Sequence, residues 1–209
     1  MKKQLTILLA TGIAMTGGLD TALAATNLNT PVNVDTIIST EIIENTNLVY
    51  TNHEEIINRA KSIIGYWTYS QENRTSVLNN LEPADPNDQT DGSGFVYWVL
   101  KTTGHNVNDD MWWTGEMQED INGHQNYLLK LSPGETQAGD IIIQHDPNHI
   151  EAARTAILLE KWRGSETRVL QIGLSQDGVQ ESTTGASGLE TPTSFGRPII
   201  HTNISNINK

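Results

Sequence analysis

The run Asp91-Gly92-Ser93-Gly94-Phe95-Val96 sets a carboxylate and a hydroxyl where a polar loop opens onto an apolar helical stretch. A turn at the positive end of a helix suits a nucleophile, because the helix dipole favours developing negative charge there. Gly92, in the middle of the turn, has no side chain to attack anything. Ser93 carries a hydroxyl, but one step along a helix start turns a side chain by about 100°, and a serine without a base is a poor nucleophile. The string is also not the G-x-S-x-G elbow of serine hydrolases. Asp91 and Ser93 therefore read as a helix cap and a capping or buried hydroxyl, both placed to line a cleft.

A second polar cluster, His145-Asp146-Pro147-Asn148-His149, offers imidazoles and a carboxylate. It reads as a solvated hairpin turn, with a metal site or a displaced base at His149 as the competing readings. Pro147 prevents a regular helix from presenting both histidines together, and the H-E-x-x-H pattern of zinc proteases is absent, so no metal or cofactor is expected. His53, His105, His124 and His201 have no spacing that raises them above surface or packing residues. The chain has no cysteine, which excludes thiolate catalysis, cysteine-ligated zinc and disulfides. Its five tryptophans read mostly as core. Trp98 falls either on the margin of an apolar helix face or toward a cleft, and Trp112 and Trp113 are hard to bury together. Tyr69, Trp98, Trp112 and Trp113 are thus candidate walls of a peptide or sugar groove.

The elements that position these residues follow from periodicity. Thr51 and Glu54 fit a capping box before Ile56, Ile57, Ala60, Ile63 and Ile64 at helical spacing, and Gly65 should stop that helix. Tyr66 to Tyr69 form a looped or extended wall. Residues 83–94, dense in Pro, Asp, Asn and Gly, form a loop. Phe95, Val96, Val99 and Leu100 mark a helix face ended by Gly104. Residues 111–131 read as looped and partly helical. Strands are expected at residues 141–143, 155–162 and 168–172, and at 198–204 with Pro198 leading. Helices first and an antiparallel sheet afterwards is an α+β order.

At the amino end, Lys2 and Lys3, the apolar run from Leu5 to Ala10, and Ala22-Leu23-Ala24 fit a secretory signal over residues 1–24. A retained anchor is the alternative, against which Thr6, Thr11, Gly17, Gly18 and Asp20 interrupt the run. Residues 25–50 form an amino-terminal arm and 51–209 the folded domain. The product is expected outside the cell or at the cell wall, without stable membrane insertion after cleavage. Thirteen Lys and Arg against a net charge of −12 argue against nucleic acid as a partner.

The order of elements and several strings resemble the NlpC/p60 family of papain-like peptidases, which cut peptide stems of bacterial peptidoglycan. The family's Asp-Cys-Ser-Gly-Phe-Val is matched by residues 91–96 everywhere except the cysteine, where Gly92 stands. Its Gly-Asp-hydrophobic-hydrophobic entry to a core strand is matched by Gly139-Asp140-Ile141-Ile142. Its histidine-led strand is matched by Arg154-Thr155-Ala156-Ile157-Leu158, with Arg154 in the histidine position. Its third polar position falls on Glu181. The resemblance, over residues 51–201, implies a papain-like α+β fold with amino-terminal helices packed on an antiparallel sheet. It also implies that the nucleophile and the base are both gone, since Gly92 has no thiol and arginine holds its proton too firmly to shuttle one. The lost side chain at Gly92 is expected to enlarge the old cavity, and Arg154 to face Glu181 or a carboxylate of a partner. Three roles are compatible with this: an inactive domain binding peptidoglycan peptide or a protein, an inactivated form of a peptidoglycan endopeptidase or amidase, and an inhibitor or interaction protein on the same scaffold.

Overall fold

A computed structural model describes residues 48–145, 148–149, 153–173, 178–192 and 194–202, with the backbone alone for 48–50 and 201–202. The expected signal segment and most of the expected arm lie outside the described residues, as do Asp146 and Pro147 of the histidine cluster.

Helix α1 (His53–Lys61) starts one residue later than its sequence pattern suggests. Asn52 is the cap, its side chain accepting from the Glu55 amide at 3.2 Å, while the Thr51 hydroxyl donates to the Pro198 carbonyl. Two short-side-chain cap formers stand in succession there, and the tertiary bond to Pro198 takes the first of them out of the capping role. Ile56 and Ala60 are buried and turn the helix onto the domain interior.

Helix α2 (Gly92–Thr102) is the central element. Asp91 caps it, its Oδ1 accepting from Gly94 N at 2.8 Å, and every residue from Ser93 to Leu100 is buried. The expected apolar stripe is thus a helix enclosed on all sides, as a run without a polar face requires. Trp98 is 0% exposed and meets Trp67 edge to face at 5.2 Å. It belongs to the core, correcting its assignment to a groove.

Residues 111–131 resolve into helix α3 (Thr114–Asn122) and a strand, β4 (Leu128–Leu131). Asp120 folds the link between them, its carboxylate accepting from the amides of Asn126 and Leu128 at 2.8 and 2.9 Å. Strand β4 is four residues long, too short for alternation to announce it.

The other strands are β1 (Leu48–Tyr50), β2 (Thr68–Tyr69), β3 (Gln89–Thr90), β5 (Ile141–Gln144), β6 (Arg154–Leu158), β7 (Arg168–Ile172), β8 (Val179–Thr183), β9 (Ser194–Pro198) and β10 (Ile200–Thr202). Five of them join β4 in one sheet in the order β4-β9-β5-β6-β7-β8, with every neighbouring pair antiparallel. Strands β2 and β3 pair in parallel, and β1 pairs with β10 antiparallel. Pro198 ends β9 rather than opening a strand. The missed strand has Gly196 at its centre, where a Cβ would come within 2.8 Å of Ile121 and 3.0 Å of Leu128. Close packing of α3 and β4 on the backbone demands a residue that reads as a turn.

The fold is therefore α+β, with helices packed on an antiparallel sheet. One face of the sheet joins the helices in the main core, through Ile141, Ile143, Ile157, Leu170 and Ile172. The other face carries a smaller cluster of Ile142, Ala156, Leu158, Val169, Leu189 and Phe195, against which Trp162 packs. At the entry to β5, Gly139 adopts φ +90° and lies so close to α1 that a Cβ would meet His53 at 2.9 Å. The next residue, Asp140, is fully buried. Its Oδ1 accepts from Arg197 Nε at 3.0 Å and lies 3.1 Å from His53 Nε2, while Oδ2 accepts from the Gln137 amide at 2.8 Å and from a second Arg197 nitrogen at 3.0 Å. The glycine-aspartate pair thus pins α1, β5 and β9 together.

Candidate functional site

A cleft of about 840 Å³ opens where the start of α2 meets the ends of β6, β7 and β8. Gly92 and Arg154 both line it. A Cβ on Gly92 would lie 3.1 Å from the Thr155 carbonyl oxygen and 3.7 Å from its methyl group. The glycine therefore opens no void at that point. It lets β6 come up against the helix start, which corrects the expectation of an enlarged cavity there. Beside Thr155, the Arg154 guanidinium donates to the Ala153 carbonyl at 3.0 Å.

The helix-side wall is an ordered polar set. Ser93 is 2% exposed; its hydroxyl donates to Asp91 Oδ1 at 2.6 Å and accepts from Arg74 at 3.3 Å. Arg74 also donates to the Met111 carbonyl at 3.3 Å and lies 3.7 Å from Asp91 Oδ2. The serine is thereby fixed as part of the cap, with no imidazole among these contacts to activate it. Tyr69 stands in the same cleft. Burial, and then the charge of Asp91, push its phenol above the ordinary range, with Gln71 and Arg154 working in the opposite direction. At neutral pH it is a hydrogen-bond donor.

The candidate aromatics separate. Trp113 lines the cleft and meets His145 edge to face at 5.3 Å. Trp112 is 1% exposed and packs against Tyr127 at 5.2 Å, so like Trp98 it is core. A tryptophan pair in sequence splits because Trp113 takes extended backbone as the cap of α3, and successive side chains there point to opposite sides.

Glu181 is not among the residues lining the cleft; its carboxylate binds Arg168 at 2.6 Å and lies 4.0 Å from Lys61. Its neighbours Gln180 and Ser182 do line the cleft, as the pleat of β8 dictates. The polar side chain that β7 contributes is Gln171, which lines the cleft and is 9% exposed. Sequence reasoning missed it, although a lone amide inside the apolar stretch 169–172 was a usable signal. Arg74 was missed as well, and nothing in its local pattern marks it, since its partners come from residues 91–111. Among the described residues no group of three or more His, Asp or Glu is arranged to hold a metal. No described helix is long and apolar enough to cross a membrane.

The site is thus a polar cleft in an α+β domain whose chain contains no cysteine, so thiolate chemistry is lost to it. No protein-family model matches the chain, and no curated protein matches its sequence. Among solved structures that match is a crystal structure from Staphylococcus aureus subsp. aureus Mu50, described as similar to a lipoprotein of the NLP/P60 family, at a TM-score of 0.46 and 18% identity. The match covers 77% of this chain and 46% of that one, so this chain spans less than half of that protein's length.

Proposed function

We propose that this chain is an exported NlpC/p60-like domain that binds in its cleft and does not cut, with residues 1–24 as its signal segment, 25–50 as an arm and 51–209 as the working domain. Its ligand is a peptidoglycan stem peptide or a secreted protein partner. One observation carries the reading: Gly92 stands at the start of α2, against β6, where the family resemblance calls for a thiol, and Arg154 lines the same cleft where it calls for an imidazole. Acyl transfer by that route needs a polarizable nucleophile and a group that takes and returns a proton near neutral pH. Glycine and arginine supply neither. What the cleft does supply is recognition chemistry: the phenol of Tyr69, the face of Trp113, the Arg74-Asp91-Ser93 set and a guanidinium.

The test compares pelleting of the purified chain on isolated cell wall with pull-down from culture medium. Retention on wall supports the peptide ligand, and capture of a defined secreted protein supports the partner. Retention on neither, or cleavage of muropeptides by pure material, removes the proposal. The double replacement Gly92→Cys with Arg154→His addresses the reading as an inactivated hydrolase, for which the ordered Arg74-Asp91-Ser93 wall speaks. Muropeptide cleavage by that variant supports it.

A further inference from the structure

Glycine is the poorest helix former after proline, so Gly115 in the first turn of α3 calls for a reason. Its surroundings give one. A Cβ there would lie 2.3, 2.4 and 2.7 Å from three atoms of the six-membered ring of Trp113, so the indole rests on bare glycine backbone. Two further contacts hold it. The Trp113 amide donates to the Glu116 carboxylate at 2.8 Å, which fixes the backbone where α3 begins, and the His145 ring meets the indole edge to face at 5.3 Å. The part of the ring that these neighbours leave uncovered lines the cleft. Trp113 is thus an aromatic wall set in place before a ligand arrives, which spares the cost of ordering it on binding.

The other groups of the cleft select the ligand. Its charged side chains are engaged with the protein itself: Asp91 accepts from Ser93 and Gly94, Arg74 donates to Ser93 and the Met111 carbonyl, and Arg154 donates to the Ala153 carbonyl. Gln71, Thr114, Gln171 and Ser182, which also line the cleft, carry neutral amides and hydroxyls, groups that both donate and accept. The net charge of −12 opposes the approach of an anion. A sugar ring answers this set. Its C–H face lies flat on an aromatic wall, and its hydroxyls donate and accept as the amides and hydroxyls of the cleft do.

We infer that Trp113, seated on Gly115, is the platform of a saccharide subsite in the cleft. This rests on the binding role proposed above and gives one wall of the cleft a ligand chemistry of its own. Titration calorimetry of the full chain with chitotetraose, a neutral oligomer of N-acetylglucosamine, tests it, with acetyl-trialanine amide as the neutral peptide control. Chitotetraose binds more tightly than the peptide, and its affinity changes by less than about twofold between low and high salt, because no ion pair is made. Trp113→Leu, which keeps an apolar side chain and removes the aromatic face, loses about tenfold for chitotetraose. Gly115→Ala, which keeps the indole and sets a methyl group where it rests, loses about tenfold as well. Far-ultraviolet circular dichroism with cooperative urea unfolding checks that each variant is folded. Failure of the unsubstituted chain to bind chitotetraose, equal affinity for chitotetraose and the peptide, or undiminished sugar affinity in either folded variant overturns the inference. If chitotetraose does not bind while the chain still pellets with cell wall, the saccharide subsite alone falls. If pelleting fails too, the binding role falls with it.

Discussion

Protonation of His105 should loosen the fold in mild acid. His105 is 4% exposed, beyond the end of α2. Thr103 Oγ1 donates to the Val99 carbonyl at 2.8 Å, leaving its lone pair for the imidazole Nδ1, also 2.8 Å away. The ring is then the Nδ1–H tautomer, and Nε2 accepts from the Asn52 amide at 3.4 Å, at the cap of α1. Burial first, then the neighbouring His53, push the imidazole down from 6.5 to about 4, against a hydrogen bond to the Thr103 backbone that works the other way. Above pH 6.5 the ring is neutral in both states and the fold keeps its full stability. Between 6.5 and about 4 the unfolded chain takes up a proton that the folded chain refuses, so stability falls as pH falls. At about 1.4 kcal/mol for each pH unit, the loss attributable to this residue is about 3 kcal/mol by pH 4. Urea unfolding followed by tryptophan fluorescence at pH 7, 6, 5 and 4 measures it, with His105→Gln as reference because glutamine keeps an acceptor for Asn52. Wild type should lose about 3 kcal/mol relative to that variant across the window, with no relative change above pH 7. Parallel profiles would refute the reasoning.

Three other outcomes follow from the packing. Asp140→Ala leaves Arg197 and His53 facing a vacated, buried site and should lower the unfolding free energy by about 3–5 kcal/mol in the same urea assay. Trp98→Ala should cost about 3–5 kcal/mol as a core truncation, whereas Trp113→Ala should change stability by less than about 1 kcal/mol and weaken ligand retention; the reverse pattern would return Trp98 to the groove. Gly92→Ala should lower stability by about 1 kcal/mol in spite of alanine's helix propensity, because its Cβ meets the Thr155 carbonyl at 3.1 Å. A stabilised Gly92→Ala variant would show that β6 gives way easily.

The helices α1 and α2 and the strands β5, β6 and β7 were legible because each carries its own periodicity or β-branched run within a few residues. Strands β4, β8 and β9 were not read as such. The first two, LLKL and VQEST, mix polar and apolar residues without a continuous β-branched run, and β9 is built around Gly196, whose reason lies in Ile121 and Leu128 packing onto it. The same division holds in the cleft. Asp91, Ser93 and Gly92 could be placed from one string because a cap and a helix start are local. Glu181 was misplaced by one residue of pleat, since a strand's inward face is set by its neighbour's register. Trp98 and Trp112 were misread because enclosure of a whole helix, or of one tryptophan of a pair, is decided by what packs around them. Arg74 and Gln171 acquire their meaning only when α2 and the sheet edge come together.

Gly92 and Arg154 bear on the proposed binding role as a pair. On that reading, Gly92 beside a histidine at position 154 would leave a helix start pressed against a strand and a proton-shuttling residue with nothing to serve. Arg154 without Gly92 would place a permanent cation beside a thiol and stabilise its anion, but could neither take the thiol's proton nor return it to a leaving amine. The Thr155 backbone already occupies the approach to a Cβ at the helix start, and Arg154 lines the same cleft. A thiol at position 92 would have to push β6 back by some tenths of an ångström before it could turn toward a substrate. On the proposed reading, catalysis therefore asks for a moved strand as well as the two side chains that the family resemblance calls for.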